Sequence, residues 1–128
     1  MCKCFKVYYQ EVKIVKVELT KFRVKPGKSK VVDEWINYIH ETMDGIIKNL
    51  EGEKIYIETI FRETFSDVEY LYWYSIQDEV AAESDTSSPI DDKHLQYFDE
   101  CIDKTFRPED MVAAAVMIPN RIKEHMKN

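Results

Sequence analysis

Between residues 53 and 77, apolar and polar positions alternate in two consecutive runs, Glu53 to Thr64 and Glu69 to Gln77, with Ser66-Asp67 between them. A period of two in β-branched and aromatic residues predicts a β-hairpin. With Ser66-Asp67 as the loop tip, paired positions sum to a constant, which sets Glu58 opposite Ser75 and Ile60 opposite Trp73. One face then carries Ile55, Ile57, Phe61, Tyr70, Tyr72, Tyr74 and Ile76. The other carries Tyr56, Glu58, Ile60, Arg62, Leu71, Trp73, Ser75 and Gln77.

Upstream, Val12 to Val24 also alternates, with Val15, Val17 and Leu19 on one side and Lys16, Glu18, Thr20 and Phe22 on the other. Pro26-Gly27 stops this strand. From Lys28 the period lengthens: Val32, Trp35, Ile36, Ile39, Met43, Ile46, Ile47 and Leu50 form the stripe of an amphipathic helix. Glycine costs about 1 kcal/mol inside a helix, so a kink or a second short helix is expected near Asp44-Gly45. Gly52 suits the left-handed position past the end.

After the hairpin, Ser88-Pro89-Ile90-Asp91 predicts a helix start, with serine as cap, proline in the first turn and a carboxylate near the positive end. Leu95, Phe98, Ile102 and Phe106 give this helix its buried stripe, flanked by His94, Tyr97 and Cys101. Met111 to Ile118 is a last apolar run, and Arg121 to Asn128 a basic tail. The divisions expected are an extension over 1–11, one domain over 12–119 and a tail over 120–128.

The order β-α-β-β-α-β predicts an α+β, ferredoxin-like fold: a four-stranded antiparallel sheet with helices on one face, in the order fourth, first, third, second. Neither hairpin face is polar enough to stand open to water. A second sheet is therefore expected against the uncovered face, most simply from an identical subunit.

Composition narrows the picture. At 128 residues, 45% hydrophobic and 33% charged, the chain is one domain of ordinary soluble make-up. A net charge of -6 argues against nucleic acid, and no apolar run approaches the ~20 residues a membrane span needs. The opening Met1-Cys2-Lys3-Cys4-Phe5-Lys6 lacks the apolar stretch of a secretory signal, so a cytoplasmic protein with reduced cysteines is expected. Cys2, Cys4 and Cys101, with the scattered His40, His94 and His125, do not space as a metal site.

Val24-Lys25-Pro26-Gly27-Lys28 between strand and helix, within the βαββαβ order, resembles the dimeric α/β-barrel proteins, the superfamily of the antibiotic-biosynthesis monooxygenases. Lys21 to Lys28, Glu58 to Glu63, Tyr70 to Gln77 and Asp92-Lys93-His94 are similar to a bacterial family of unknown function with that fold. The resemblance covers about Val12 to Pro119. It implies a homodimer with a pocket between sheet and helices, and it supplies no reaction. Haem-degrading members of the superfamily combine a Trp on the third strand, a His near the second helix and an Asn on the first strand. Trp73 and His94 fall in comparable elements, but the first strand offers Glu18, Leu19 and Thr20 and no Asn, so no haem or other cofactor is expected.

Two residues are candidates for acid–base chemistry. Glu58, mid-strand among Ile57, Ile60 and Phe61, would have a raised pKa if buried; the alternative is an ion pair across a dimer interface. His94 follows an acidic segment that would favour its protonation; the alternative is a helix-flanking residue with no further role. Glu18, Tyr56, Arg62, Tyr72 and Trp73 are the candidate pocket residues, against plain core. Three functions remain open: an enzyme acting on a small apolar or aromatic molecule by oxygenation or proton transfer, a ligand-binding or regulatory module, and an interaction platform. Phosphate loops, nucleophile elbows and metal-binding helix motifs do not occur.

Overall fold

A computed structural model describes residues 15–78 and 89–126. The elements are β1 (Val15–Arg23), α1 (Ser29–Glu41), α2 (Met43–Gly52), β2 (Ile55–Phe65), β3 (Val68–Asp78), α3 (Pro89–Cys101), β4 (Glu109–Met111) and α4 (Asn120–His125). The protein is α+β, its four strands forming one antiparallel sheet in the order β2-β3-β1-β4. Read from the β4 edge, that is fourth, first, third, second. The 1–11 extension, Val12 to Ile14 and the acidic stretch over 79–88 lie outside the described residues.

The hairpin register follows from its turn. Ser66 (φ 51°) and Asp67 (φ 63°) both take left-handed conformations, the two-residue type I′ turn whose twist matches the strands it joins. Glu58 therefore pairs with Ser75 and Ile60 with Trp73, as the constant-sum argument requires. At the far end a bulge between Ile55 and Ile57 inserts Tyr56 as an extra residue. It takes Tyr56 away from the Glu58 and Trp73 face on which strict alternation places it. Its hydroxyl lies 3.3 Å from Asp78, which shares the face of Tyr74 and Ile76, and donates to the Met126 carbonyl at 2.7 Å.

Helices cover the face carrying Phe22, Ile60, Leu71 and Trp73. The core beneath them is Val24, Val32, Trp35, Leu71, Cys101 and Ile102. Val24 bridges Ile102, and Gly27, at φ +80°, supplies the turn that feeds α1. Arg62 clamps the start of α1 to the sheet through Glu69, Asp33 (2.6 Å) and the Ser29 carbonyl (3.0 Å), while Ser29 Oγ donates to Glu69 at 2.6 Å. Glu69 is buried, and this pairing satisfies its charge.

Several expectations are corrected. The long helix divides at Thr42 rather than at Asp44-Gly45: the Thr42 hydroxyl donates to the Tyr38 carbonyl at 2.7 Å and its backbone sits at φ -109°, ψ 18°. The left-handed residue before β2 is Lys54 (φ 57°), not Gly52, which closes α2. Cys101 is fully buried, whereas Leu95 is 61% exposed, and Phe106 lies beyond α3 with its ring 6.1 Å from Tyr70. The last strand holds only Glu109–Met111, paired with Leu19 to Lys21; none of the described residues pairs with the rest of the apolar run, and Val112 is 92% exposed.

On the sheet's second face the chain just after α4 meets the Tyr56 and Asp78 end, where Ile76 and Met126 are buried, and the hairpin-turn end is open among the described residues. Phe61 and Phe65 stand 55% and 66% exposed on it, and Leu19, Phe61, Tyr72 and Tyr74 line a shallow apolar hollow. Lys21 lies over the Tyr70 ring at 4.2 Å. Among the described residues no helix is long and apolar enough to cross a membrane.

Candidate functional site

The helix stripe predicted to be core is only half used as core. Trp35 and Val32 are buried against the sheet, but α2 has no buried residue. α2 and β2 face one another across a gap. What lies between is a cavity of about 670 Å³, within the range of small-molecule sites. Its walls come from α1 (Trp35, Ile36, Ile39, His40), α2 (Met43, Ile46, Asn49, Leu50), the turn at Glu53, β2 (Glu58, Thr59, Ile60), Trp73 of β3, and α3 (Asp91, His94, Leu95, Phe98). The lining is mainly apolar, with a few convergent polar groups.

Two tryptophans organise those polar groups. Trp35 Nε1 donates to His94 Nδ1 at 2.9 Å, and the rings of Trp35 and Trp73 pack 5.7 Å apart. Because Nδ1 accepts, the neutral imidazole carries its proton on Nε2. Trp73 lies near enough to the Glu58 side chain to favour its charged form. Indole nitrogens only donate, so each tryptophan favours the form of its partner that can accept.

Burial pushes the Glu58 carboxyl above its ordinary value of 4.5; Trp73 pulls it down, and the nearby Glu53 pushes it further up. Among the described residues Glu58 makes no ion pair. Burial moves His94 the other way, below 6.5, with Asp91 opposing. An acidic neighbour favours protonation of His94, and desolvation outweighs it.

The Glu58 shift has a consequence for stability. A folded-state value above the unfolded one means the folded protein holds its proton longer. The stabilisation is complete below the ordinary value of 4.5 and is lost as pH rises through the raised value. Glu58→Gln keeps an acceptor for Trp73 and removes the buried charge. It is expected to melt a few degrees above the wild type at neutral pH, with the difference disappearing in acid; thermal unfolding across pH checks this. His94 has the opposite sign: its contribution is present above 6.5 and is lost as pH falls toward the lowered value.

The cavity thus brings together three of the sequence candidates, Glu58, His94 and Trp73. The others lie elsewhere. Glu18 is half-exposed and pairs with Lys16 at 2.6 Å. Arg62 is taken up by the α1 clamp, and Tyr56 by Asp78 and Met126. Tyr72 is on the open face, its hydroxyl donating to Glu63 at 2.7 Å. Sequence reasoning missed Glu53 and read Asp91 only as a helix-start carboxylate. Among the described residues no group of three or more His, Cys, Asp and Glu side chains could hold a metal ion.

None of the curated proteins compared with this chain matches it. A family model does match, over residues 15–124, which takes in every described strand and helix but the final residue of α4. The chain belongs to the Family of unknown function (DUF6176).

Proposed function

We propose that this protein binds a small apolar or aromatic molecule in the cavity between β2, β3 and the helices, and that Glu58 accepts a proton or hydrogen bond from it. The observation that carries this reading is a desolvated carboxylate without a cationic partner among the described residues, set in an apolar cavity of about 670 Å³. Core glutamates without function are normally paired or surface-bound. A carboxylate with a raised pKa is the usual equipment of a proton-transfer site, and neutral His94 offers a donor at Nε2 in the same cavity. Of the two chemistries the sequence leaves open, these groups favour proton transfer over oxygenation.

The βαββαβ order and the antiparallel pairing support a ferredoxin-like fold, and the open end of the sheet's second face supports the dimeric α/β-barrel arrangement. A second copy is the occupant this face suits best. Its apolar residues continue into β4, where Met111 pairs with Leu19 and is 42% exposed, so one partner of the same pattern would cover both.

The test for the cavity is equilibrium titration with small aromatic molecules, read by the fluorescence of Trp35 and Trp73. Saturable quenching is expected in the wild type, and its loss in Ile46→Phe, which fills the space from α2 at a position that is not buried core. Quenching that persists unchanged in Ile46→Phe contradicts the assignment. A non-catalytic module would show affinity that survives Glu58→Gln and no product.

A further inference from the structure

Among the described residues, the formal charges lining the cavity are all negative. Glu58 projects from the middle of β2, Glu53 from the turn before it, and Asp91 from the first turn of α3, and all three contribute to the lining. They are close enough to act on one another, Asp91 on Glu53 and Glu53 on Glu58. Among the described residues no lysine or arginine lines the cavity, and none of the three is in an ion pair. Other carboxylates of the fold are treated differently: Glu69 has Arg62, Asp103 has Arg23 at 2.9 Å, and Asp99 has Lys104 at 2.8 Å.

The histidines do not restore the balance. His94 accepts the Trp35 N–H at Nδ1, and protonation there would break that bond, so the imidazole inside the cavity is held uncharged. His40 stands at the exposed rim. Asp91 is partly met by the positive end of α3. Glu53 and Glu58 have no such compensation, and Glu58 is the deeper of the two, against Trp73 and Ile60.

An apolar enclosure with unneutralised carboxylates at one side attracts cations and repels anions, more strongly than the same charges in open water. Aromatic walls add to this, since the faces of tryptophan rings also favour cations. We infer that the ligand of this cavity is a small organic cation, an amine on an aromatic or aliphatic body, whose ammonium group sits between Glu53 and Glu58 while its body lies against Trp35, Trp73, Ile39 and Phe98. The inference rests on the reading of the cavity as a ligand site and names the class of molecule that site selects.

Three probes of matched shape separate the two ideas: phenethylamine, phenethyl alcohol and phenylpropionate, each titrated into the full-length protein at neutral pH and low salt. The amine is expected to bind at least about tenfold more tightly than the alcohol, a difference of about 1.4 kcal/mol, and the carboxylate to bind least. Glu53→Gln and Glu58→Gln should each lower the ratio of amine to alcohol affinity. Glu53 lies at a turn outside the core, so its replacement does not depend on repacking. Equal affinity for amine and alcohol overturns the cation inference and leaves the cavity as a ligand site. An amine preference unchanged in both variants overturns it as well, because the charge is then recognised elsewhere. Binding of none of the three at millimolar concentration removes both.

Discussion

Trp35→Ala is expected to cost about 3–5 kcal/mol of folding stability, the range for emptying a large aromatic site in a core. A domain of this size has about 5–15 kcal/mol in total, so the variant should sit at or near the edge of unfolding at room temperature. The indole is 1% exposed and touches the sheet through Trp73 and α3 through Tyr97 and Phe98, at ring separations of 5.7, 6.2 and 6.3 Å. Its loss would also merge the vacated space with the neighbouring cavity, so the walls have little to collapse onto. Trp35→Phe separates packing from hydrogen bonding. It keeps a ring, should cost much less, and frees His94 Nδ1. The His94 pKa should then rise toward its ordinary value, which a proton NMR titration of the imidazole would read. Denaturant unfolding of both variants supplies the energies.

The second large effect concerns the open end of the sheet's second face. The wild type is expected to sediment as a dimer at micromolar concentration, and Phe61→Asp or Tyr72→Glu to convert it to monomer. A charge forced into a closed apolar interface without a partner costs about 3–5 kcal/mol, which is about a thousandfold in Kd. In a twofold dimer both copies bring the charge. Phe61 and Tyr72 pair across β2 and β3 beside the hollow lined by Leu19 and Tyr74, so the substitutions fall in the middle of the patch rather than at its rim. As single chains the variants should fold normally, because Phe61 is already more than half exposed. A monomeric wild type with this face in water would contradict the dimer.

What was legible in the sequence was what local rules determine. A two-residue turn fixes a hairpin register, so Glu58 could be set opposite Ser75, and hence on the face of Trp73, with no structure in hand. What was not legible depends on contacts distant in sequence. Alternation gives no warning of the bulge that removes Tyr56 from the Glu58 face. A helical stripe reads the same whether it packs tightly or walls a cavity, so Ile39, Ile46 and Leu50 looked like core, yet they line a cavity. The Trp35 to His94 bond spans 59 positions, and it decides which nitrogen of the imidazole is free to meet a ligand. Tyr72 was placed among pocket residues on its aromatic character, yet its parity in β3 assigns it to the side away from the helices.

The chain has two tryptophans, Trp35 and Trp73; both line the cavity, and the Trp35 indole N–H donates to His94 there. Their signals in a proton–nitrogen correlation spectrum therefore report on that space from within. With phenethylamine and phenethyl alcohol added in turn, both indole signals should move along a saturable curve for at least one probe, while the backbone amides of Tyr70 and Tyr72 stay still. If neither indole signal moves with either probe, or the shifts are confined to the open face of the sheet, the cavity is not a ligand site and the roles given to Glu58 and His94 are contradicted.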